Sequence, residues 1–248
     1  MPLRIAIISS PRSGNTWTRL VLARALNLQE IAVHNWTDLP GELPTDCIVQ
    51  IHWYREPNFQ SFLRENKFRL IVLARHPLDV FLSMLHFVRY EPMTARWLEG
   101  NCAIPPELID SSPASAAFSR YATSWGAENL LSISYQWWHD PSALRIRYEE
   151  LVRDPKGKFT AIAKVFDRTT ERIETILQEN NLENFRSMPN RHGWRGQPGL
   201  WQQLIPTTTA LRVYAYHCRV FNALGYPIPL SLITRAVAKR NWERLRSN

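Results

Sequence analysis

The stretch LRIAIISSPRSGNTWTRLVLARAL, residues 3–26, decides the fold class. Its first part, Leu3–Ser9, is a nearly continuous apolar run that ends in turn residues, and this pattern predicts a strand buried on both faces of a parallel sheet. Its last part, Thr16–Leu26, places Trp17, Leu20, Val21 and Ala25 at helical spacing. A buried strand followed by a short loop and a helix is the first unit of an α/β fold.

The loop between strand and helix has the chemistry of an anion site. Unpaired backbone N–H groups and the positive end of the helix dipole converge at such a junction, and Gly14 lets the chain wrap closely. Arg12 adds a fixed charge, and the side-chain donors are Ser13, Asn15 and Thr16. The alternative is a simple turn with a Ser or Asn helix cap. A Walker A loop is excluded because its first Gly and its Lys are missing.

The remaining pattern predicts a single α/β domain over residues 1–248, with a central, mostly parallel sheet flanked by helices. Further buried strands are predicted at Cys47–His52 and Phe68–Ala74, and another strand at Ala143–Tyr148. The predicted helices are Asp79–Tyr90, Ala122–Trp138, Leu151–Phe166, Glu171–Asn180 and a helical remainder that ends in a basic helix at about 231–248. Residues 91–119, rich in Pro, Ser and Asn, are predicted to be a mobile excursion, and residues 191–203 a loop.

Composition narrows the class of protein. Of the 248 residues, 45% are hydrophobic and 21% are charged, which excludes wholesale disorder. No apolar run approaches the ~20 residues of a transmembrane helix, and we expect the first residues not to act as a secretory signal. Cys47, Cys102 and Cys218 lack the spacing of a zinc site, so we expect reduced thiols in a cytoplasmic protein without a metal. The net charge of +8 suits an anionic partner, although general solubility is the favoured explanation of the charge taken alone.

The anion loop carries a family resemblance. Residues 11–17, PRSGNTW, resemble the 5′-phosphosulfate loop P-K-S-G-T-T-W of the cytosolic-type sulfotransferases, which use 3′-phosphoadenosine 5′-phosphosulfate (PAPS) and release the bisphosphate PAP. The resemblance implies the same fold, a P-loop-like phosphate site, and donor binding by Arg12, Ser13, Gly14, Asn15, Thr16 and Trp17. Arg12 replaces the usual Lys, so it would stabilise developing charge without donating a proton.

A second match follows the strand Phe68–Ala74. Residues 75–87, RHPLDVFLSMLHF, resemble the 3′-phosphate segment R-x-x-x-D-x-x-x-S-x-x-H-F of that family. Independently of the family, Arg75 at a strand end and Ser83 two helical turns later could grip one phosphate. Asp79 suits the helix dipole and is interpreted as a cap, and an isolated Arg75 would more often form a surface salt bridge.

Two later matches complete the donor site that the resemblance implies. Tyr148, in the segment 146–151, corresponds to an adenine-contacting residue and would hold the adenine together with Trp17. Arg195 and Gly196 correspond to the family's late loop, R-K-G-x-x-G-D-W, which closes over the 3′-phosphate. Two departures stand out: Trp194 replaces an Arg and Leu200 an Asp, and Arg191 is a second candidate for the missing charge.

His52 is the candidate catalytic base. It ends the predicted strand Cys47–Ile51, at the edge where α/β proteins bind ligands, and it matches the His of the family's K-T-H triplet, with Gln50 in place of the Lys. An ordinary histidine pKa of about 6.5 suits a general base. His34 and His86 are the rivals. We expect the acceptor, the small molecule that receives the sulfuryl group, to contact His86, Phe87, Trp36 and Trp53.

The sequence thus predicts a PAPS-dependent sulfotransferase that modifies a hydroxyl of a small organic acceptor, with His52 and Arg12 as catalytic residues. We expect a natural-product acceptor, such as an alkaloid of the cylindrospermopsin or saxitoxin kind, and no nucleic-acid or membrane partner.

A P-loop-like nucleotide kinase is the first alternative, but it needs a loop lysine and an acidic Mg²⁺ ligand at a strand end, and neither is found. A basic nucleic-acid-binding module is the second, although the ten tryptophans do not follow a basic stripe. The oligomeric state and the choice between O- and N-sulfation stay open.

Overall fold

Five parallel strands form the centre of the chain. The computed structural model describes residues 2–102, 104–187 and 193–247. Within these residues the strands are β1 (Arg4–Ser9), β2 (Gln29–Ala32), β3 (Cys47–Ile51), β4 (Phe68–Ala74) and β5 (Ala143–Arg147). They pair in the order β2-β3-β1-β4-β5, and every pairing is parallel, which confirms the predicted fold class.

Helices connect the strands and cover both faces of the sheet. In the described residues the α-helices are α1 (Asn15–Leu26), α2 (Pro57–Glu65), α3 (Pro77–Phe87), α4 (Ala116–Tyr121), α5 (Trp125–Trp137), α6 (Tyr148–Arg153), α7 (Pro155–Val165), α8 (Ile173–Glu179), α9 (Leu182–Arg186), α10 (Trp201–Leu204), α11 (Thr207–Tyr216), α12 (Cys218–Leu224) and α13 (Arg235–Ser247). None of them is both long enough and apolar enough to cross a membrane.

The apolar strand β1 is explained by burial on both faces. Ile5 and Ile7 pack with α1 and α7 on one side of the sheet, whereas Ala6 and Ile8 pack with α3 and α5 on the other. Because successive side chains of a strand point to opposite faces, a strand between two helical layers needs an apolar residue at every position.

Several boundaries differ from those predicted. The single helix expected at 151–166 is α6 and α7, which are separated at Asp154, where the side chain accepts from the Gly157 N–H and Pro155 starts a new helix. Residues 226–234, expected to be helical, have no regular structure. The segment 91–119 is not a free excursion: Trp97, Cys102 and Leu108 are buried in the core.

The parallel arrangement places the carboxyl ends of all strands at one edge. The residues that follow β1, β3, β4 and β5 therefore meet there, as in other open α/β sheets. This edge carries Arg12, His52, Arg75 and Tyr148.

Candidate functional site

A cleft of about 500 Å³ opens at the carboxyl edge of the sheet. Its floor is the loop between β1 and α1, and its roof is the late loop, here Gly193–Leu200. Of the predicted donor-binding residues, the cleft is lined by Arg12, Gly14, Asn15, Thr16, Trp17, Arg75, Ser83, Tyr148, Arg195 and Gly196. The far wall was not predicted. It is formed by residues of α6 to α9 and of the turns between them: Val152, Pro155, Leu177, Asn180, Leu182 and Phe185.

Gly14 allows the floor and the wall of the cleft to touch. Its φ is +92°, and a Cβ at this position would lie 2.3 Å from Cδ2 of Tyr148. The Tyr148 hydroxyl donates to the carbonyl oxygen of Gly196 at 2.7 Å. Only glycine combines this φ with such a close approach, so one aromatic ring joins the first loop to the late loop.

Two arginines lie side by side in this cleft and both are buried. Arg12 Nε donates to Ser83 Oγ at 3.1 Å, and Arg75 Nη1 donates to the carbonyl oxygen of Arg12 at 3.2 Å. The Arg75 guanidinium also lies 4.5 Å from the centre of the Tyr148 ring. Burial and the neighbouring Arg75 lower the pKa of Arg12 to about 9, because two positive charges in a poorly hydrated site repel each other.

Two polar atoms in the same region have no partner among the described residues. They are Arg75 Nε and Ser13 Oγ, and both are shielded from solvent. Buried donors normally have acceptors, so such atoms need an explanation. An anion that accepts from them and offsets the paired guanidinium charges provides one.

Asp79 anchors the late loop. Its carboxylate accepts from the Gly199 N–H at 2.6 Å and from the Trp201 N–H at 3.1 Å, and its side chain is buried. Burial raises the pKa of Asp79 to about 6. The interpretation as a simple helix cap is therefore too narrow, because this carboxylate connects α3 to a loop more than a hundred residues later.

Trp194 connects the late loop to the C-terminal helix, which explains one departure from the family pattern. It stacks on His86 with ring centres 5.2 Å apart, and it meets Trp242 of α13 edge to face at 5.7 Å. Arg195 Nη2 donates to the carbonyl oxygen of Leu245 at 3.3 Å. Arg191, the alternative source of charge, lies outside the described residues.

His52 is buried and fixed at both ring nitrogens. Nδ1 lies 2.7 Å from the carbonyl oxygen of Ser9, which can only accept, and Nε2 lies 2.7 Å from Nδ2 of Asn15, which can only donate. Burial, followed by His34 and Arg12, lowers the pKa of His52 to about 3 although the Ser9 contact raises it. The ring is therefore neutral at pH 7, with its lone pair on Nε2.

The predicted acceptor residues do not form one cluster. Phe87 lies against Arg12, with the guanidinium 4.0 Å from its ring centre, and it stacks on Trp97. Trp97 in turn lies 6.3 Å from the ring of His34, the half-exposed neighbour of His52. By contrast, His86 faces Trp194, and Trp36 and Trp53 both donate their indole N–H to Glu56. Contact of these last three with an acceptor stays a prediction.

No group of three His, Cys, Asp or Glu side chains in the described ranges is arranged to hold a metal ion. Cys47 and Cys102 are buried thiols, and Cys218 is partly buried; none forms a disulfide.

Comparison with known proteins places this geometry in context. The family model described as "Sulfotransferase domain" matches residues 2–193. The chain is 24% identical over 220 residues to mouse "Sulfotransferase 1B1", covering 76% of this chain and 67% of that protein. It is 20% identical over 215 residues to the rabbit "Amine sulfotransferase", covering 75% and 64%. The chain thus spans about two thirds of the length of these relatives.

The fold is also similar to that of solved structures. Mouse sulfotransferase SULT7A1 complexed with PAP superposes with a TM-score of 0.63 at 15% identity, over 88% of this chain and 84% of that one. Retinol dehydratase in a complex with retinol and PAP gives a TM-score of 0.57 at 16% identity, over 92% and 84%.

Proposed function

Because the chain belongs to the sulfotransferase domain family, whose enzymes use PAPS, we propose that it transfers the sulfuryl group of PAPS to a hydroxyl of a small organic acceptor. The observation that carries this proposal is the pair of buried arginines, Arg12 and Arg75, in a cleft at the carboxyl edge of a parallel sheet. A donor with a phosphosulfate at one end and a 3′-phosphate at the other would need two cationic contacts of this kind.

The residues present fit such a donor. Arg75 Nε and Ser13 Oγ are buried donors without an acceptor among the described residues, and Gly14 lets the Tyr148 ring lie directly against the phosphate loop. We assign the phosphosulfate to the loop from Arg12 to Thr16, and the 3′-phosphate to Arg75, Ser83, Arg195 and Gly196. Trp17 and Tyr148, whose rings meet edge to face at 6.3 Å, would hold the adenine.

When bound, PAPS supplies an activated sulfuryl group that is open to in-line attack by a hydroxyl. Arg12 holds positive charge in a poorly hydrated position and would stabilise negative charge on the leaving side. The late loop, held by Asp79 and by the Tyr148 hydroxyl, covers the cleft and limits the access of water.

We assign the general base to Nε2 of His52. The contact of Nδ1 with the Ser9 carbonyl favours the tautomer that has the lone pair on Nε2. A bound anionic donor would stabilise the protonated imidazolium, raising the pKa of His52 from its low value in the free protein. The acceptor hydroxyl would replace Asn15 as the donor to Nε2.

The acceptor is proposed from the apolar side chains near Arg12. Phe87 packs against the Arg12 guanidinium and stacks on Trp97, and both rings are buried. Apolar surroundings of this kind suit a small organic molecule better than a polymer. We retain a natural-product hydroxyl, of an alkaloid of the cylindrospermopsin or saxitoxin kind, as the acceptor to test first. We also propose that residues 1–248 form one domain and that the protein acts in the cytoplasm.

Binding of PAP, of AMP and of ATP with Mg²⁺ tests the donor assignment. We expect PAP to bind most tightly, and Arg75→Ala to remove most of the preference for PAP over AMP, since AMP lacks the 3′-phosphate. A lost charged hydrogen bond weakens binding by about 1.5–3 kcal/mol. Equal affinity for PAP and AMP in the unaltered protein would contradict the assignment, and binding of ATP–Mg²⁺ alone would favour a kinase.

Transfer of labelled sulfuryl groups from PAPS to a panel of alcohols, phenols and amines tests the reaction. His52→Gln should lower turnover by about 10²–10⁴-fold, the range for loss of a general base, while PAP binding is kept. The exposed His139→Gln is the matched control, and His34→Gln tests the rival base. Full activity of His52→Gln together with an inactive His34→Gln would transfer the role of base to His34.

A further inference from the structure

A second cavity lies beyond the late loop from the donor cleft. Its volume is about 330 Å³, and Trp194 and Arg195 line both spaces. Arg12, His52 and Arg75, to which the reaction is assigned, do not line it. We propose that this cavity binds the oxoanion of an organic ligand with a planar ring, a phosphate or sulfate ester.

Positive charge is in excess around this cavity. Asp110 pairs with two of the arginines there, with Arg89 at 2.9 Å and with Arg246 at 3.0 Å. The other two donate to main-chain carbonyls: Arg186 Nε to Trp194 and Arg195 Nη2 to Leu245. Among the described residues, four arginines and no Asp or Glu line this concave space, which favours an anionic ligand.

The pairing with Asp110 leaves room for that ligand. The Asp110 side chain is 61% exposed, so its ion pairs are screened by water and contribute little stability. Phosphate and sulfate groups present several oxygen atoms to the planar guanidinium fork and can be bound by two parallel hydrogen bonds. The oxoanion would share Arg89 and Arg246 with Asp110 and contact Arg186, while Arg195 stays with the 3′-phosphate to which the proposed function assigns it.

The wall of the cavity is aromatic. His86, Tyr90, Trp194 and Trp242 line it, and their rings form a chain of contacts with centres 5.1–5.7 Å apart. The rings favour a ligand with a flat apolar part.

The shared wall connects the two spaces. Since Trp194 and Arg195 contact both, a ligand in the second cavity changes the position or the charge balance of groups that face the donor cleft. Binding at one site must then alter affinity at the other by the same factor. This consequence, unlike the site itself, rests on the proposed function.

Titration of the PAP-saturated protein with 1-naphthyl phosphate tests the site, because PAP fills the donor cleft. We expect one ester per chain, detected by calorimetry and by quenching of tryptophan fluorescence. Arg246→Gln should weaken it about tenfold, as expected for one charged hydrogen bond. Arg89→Gln should act in the same direction. Arg240→Gln removes the same charge from an exposed position on the same helix and should leave binding unchanged.

Titrations with a phosphate ester, a sulfate ester and inorganic phosphate distinguish the possible ligands. A preference for 1-naphthyl phosphate over 1-naphthyl sulfate, or the reverse, identifies the ester class, and inorganic phosphate alone should bind more weakly than either. Equal affinity in the unaltered protein and in Arg246→Gln overturns the proposal, as does the absence of ester binding at millimolar concentration. Failure to bind PAP would instead contradict the proposed function; titration of the unloaded protein with the same variants would then decide the second site, since neither Arg246 nor Arg240 lines the donor cleft.

Discussion

At the scale of single residues, Gly14 shows how one missing Cβ shapes the site. The Tyr148 ring fills the space where a side chain would be, so it reaches both the first loop and Gly196. We predict that Gly14→Ala destabilises the protein by roughly 1–3 kcal/mol, through an unfavourable φ and a displaced ring, and weakens PAP binding.

Urea unfolding and PAP titration of Gly14→Ala measure these two effects. Gly41→Ala is the matched control, because nothing lies within 4 Å of a Cβ built there. Equal losses in both variants would show that the Tyr148 contact has no particular importance.

His76 makes stability depend on pH. It is buried against Trp201, with ring centres 4.9 Å apart, and burial followed by Arg75 lowers its pKa to about 3. The unfolded chain therefore binds a proton between about pH 6.5 and pH 3 that the folded protein does not, so this residue lowers the free energy of unfolding as pH falls through that window.

We predict that His76→Gln removes about 1.4 kcal/mol per pH unit from this acid dependence between pH 6 and pH 4, as one fewer proton is taken up. Urea midpoints across this range measure it for the variant, for the unaltered protein and for the exposed control His139→Gln. Identical pH slopes in His76→Gln and the unaltered protein would contradict the expectation. The raised pKa of Asp79 makes the free energy of unfolding increase as pH falls, opposite to the effect of His76. This contribution is the same in the unaltered protein and in both variants.

At the scale of elements, three of the strands that could be predicted are buried on both faces, and the fourth, β5, has only Ile146 buried. β1, β3 and β4 read as apolar runs because helices cover each side. β2, by contrast, was not predicted, because its sequence Gln29–Ala32 lies mostly exposed at the edge of the sheet and shows neither a run nor an alternation. α2 was not predicted either, because only Phe59 and Leu63 of its nine residues are buried.

The same reasoning explains which parts of the site were predictable. Arg12, Arg75 and Tyr148 follow strands directly, so topology alone brings them to one cleft. The partners of Asp79 and Trp194 lie far away in sequence, in the late loop and in α13, and no local pattern records such contacts. The position of the late loop could be predicted from the sequence, but its contacts with Asp79 and with α13 could not.

Asp79 gives a prediction about the late loop as an element. Asp79→Asn keeps the shape of the side chain but loses the charge and one acceptor oxygen, so only one of the Gly199 and Trp201 N–H groups keeps a good partner. We expect PAP to dissociate about tenfold faster, because one hydrogen bond to a charged group is lost. Stopped-flow displacement of PAP measures the rate.

Asp167→Asn is the control for this substitution, since the Asp167 carboxylate is 92% exposed and pairs with Arg69 at the surface. An unchanged rate of PAP dissociation in Asp79→Asn would mean that the late loop does not depend on this anchor.

At the scale of the whole molecule, the C-terminal helix is part of the core. The sequence indicated a basic amphipathic helix and left open what its apolar face meets. In the structure, Ala238 and Trp242 of α13 are buried, α13 packs against α10, and Trp242 touches the late loop through Trp194.

We predict that Trp242→Ala lowers the free energy of unfolding by about 3–5 kcal/mol, the cost of emptying a large buried site. Trp125→Ala removes an indole that is 60% exposed and should cost less than about 1 kcal/mol. Urea unfolding of both variants measures the difference. A small effect at Trp242 would show that α13 contributes little to the stability of the fold.

The all-parallel sheet also determines when the protein can acquire its structure during synthesis. β1 pairs at Arg4 with Cys47 and with Phe68, and β4 pairs at Leu70 with Ala143. β1, which is synthesised first, can therefore pair only after β3 and β4 have been synthesised. The apolar edge of β4 stays uncovered until β5 has left the ribosome. Pairings so distant in sequence close slowly, and an uncovered apolar strand edge invites association with other chains. We therefore expect the yield of folded protein to depend more on synthesis rate, temperature and chaperones than on the stability of the finished molecule.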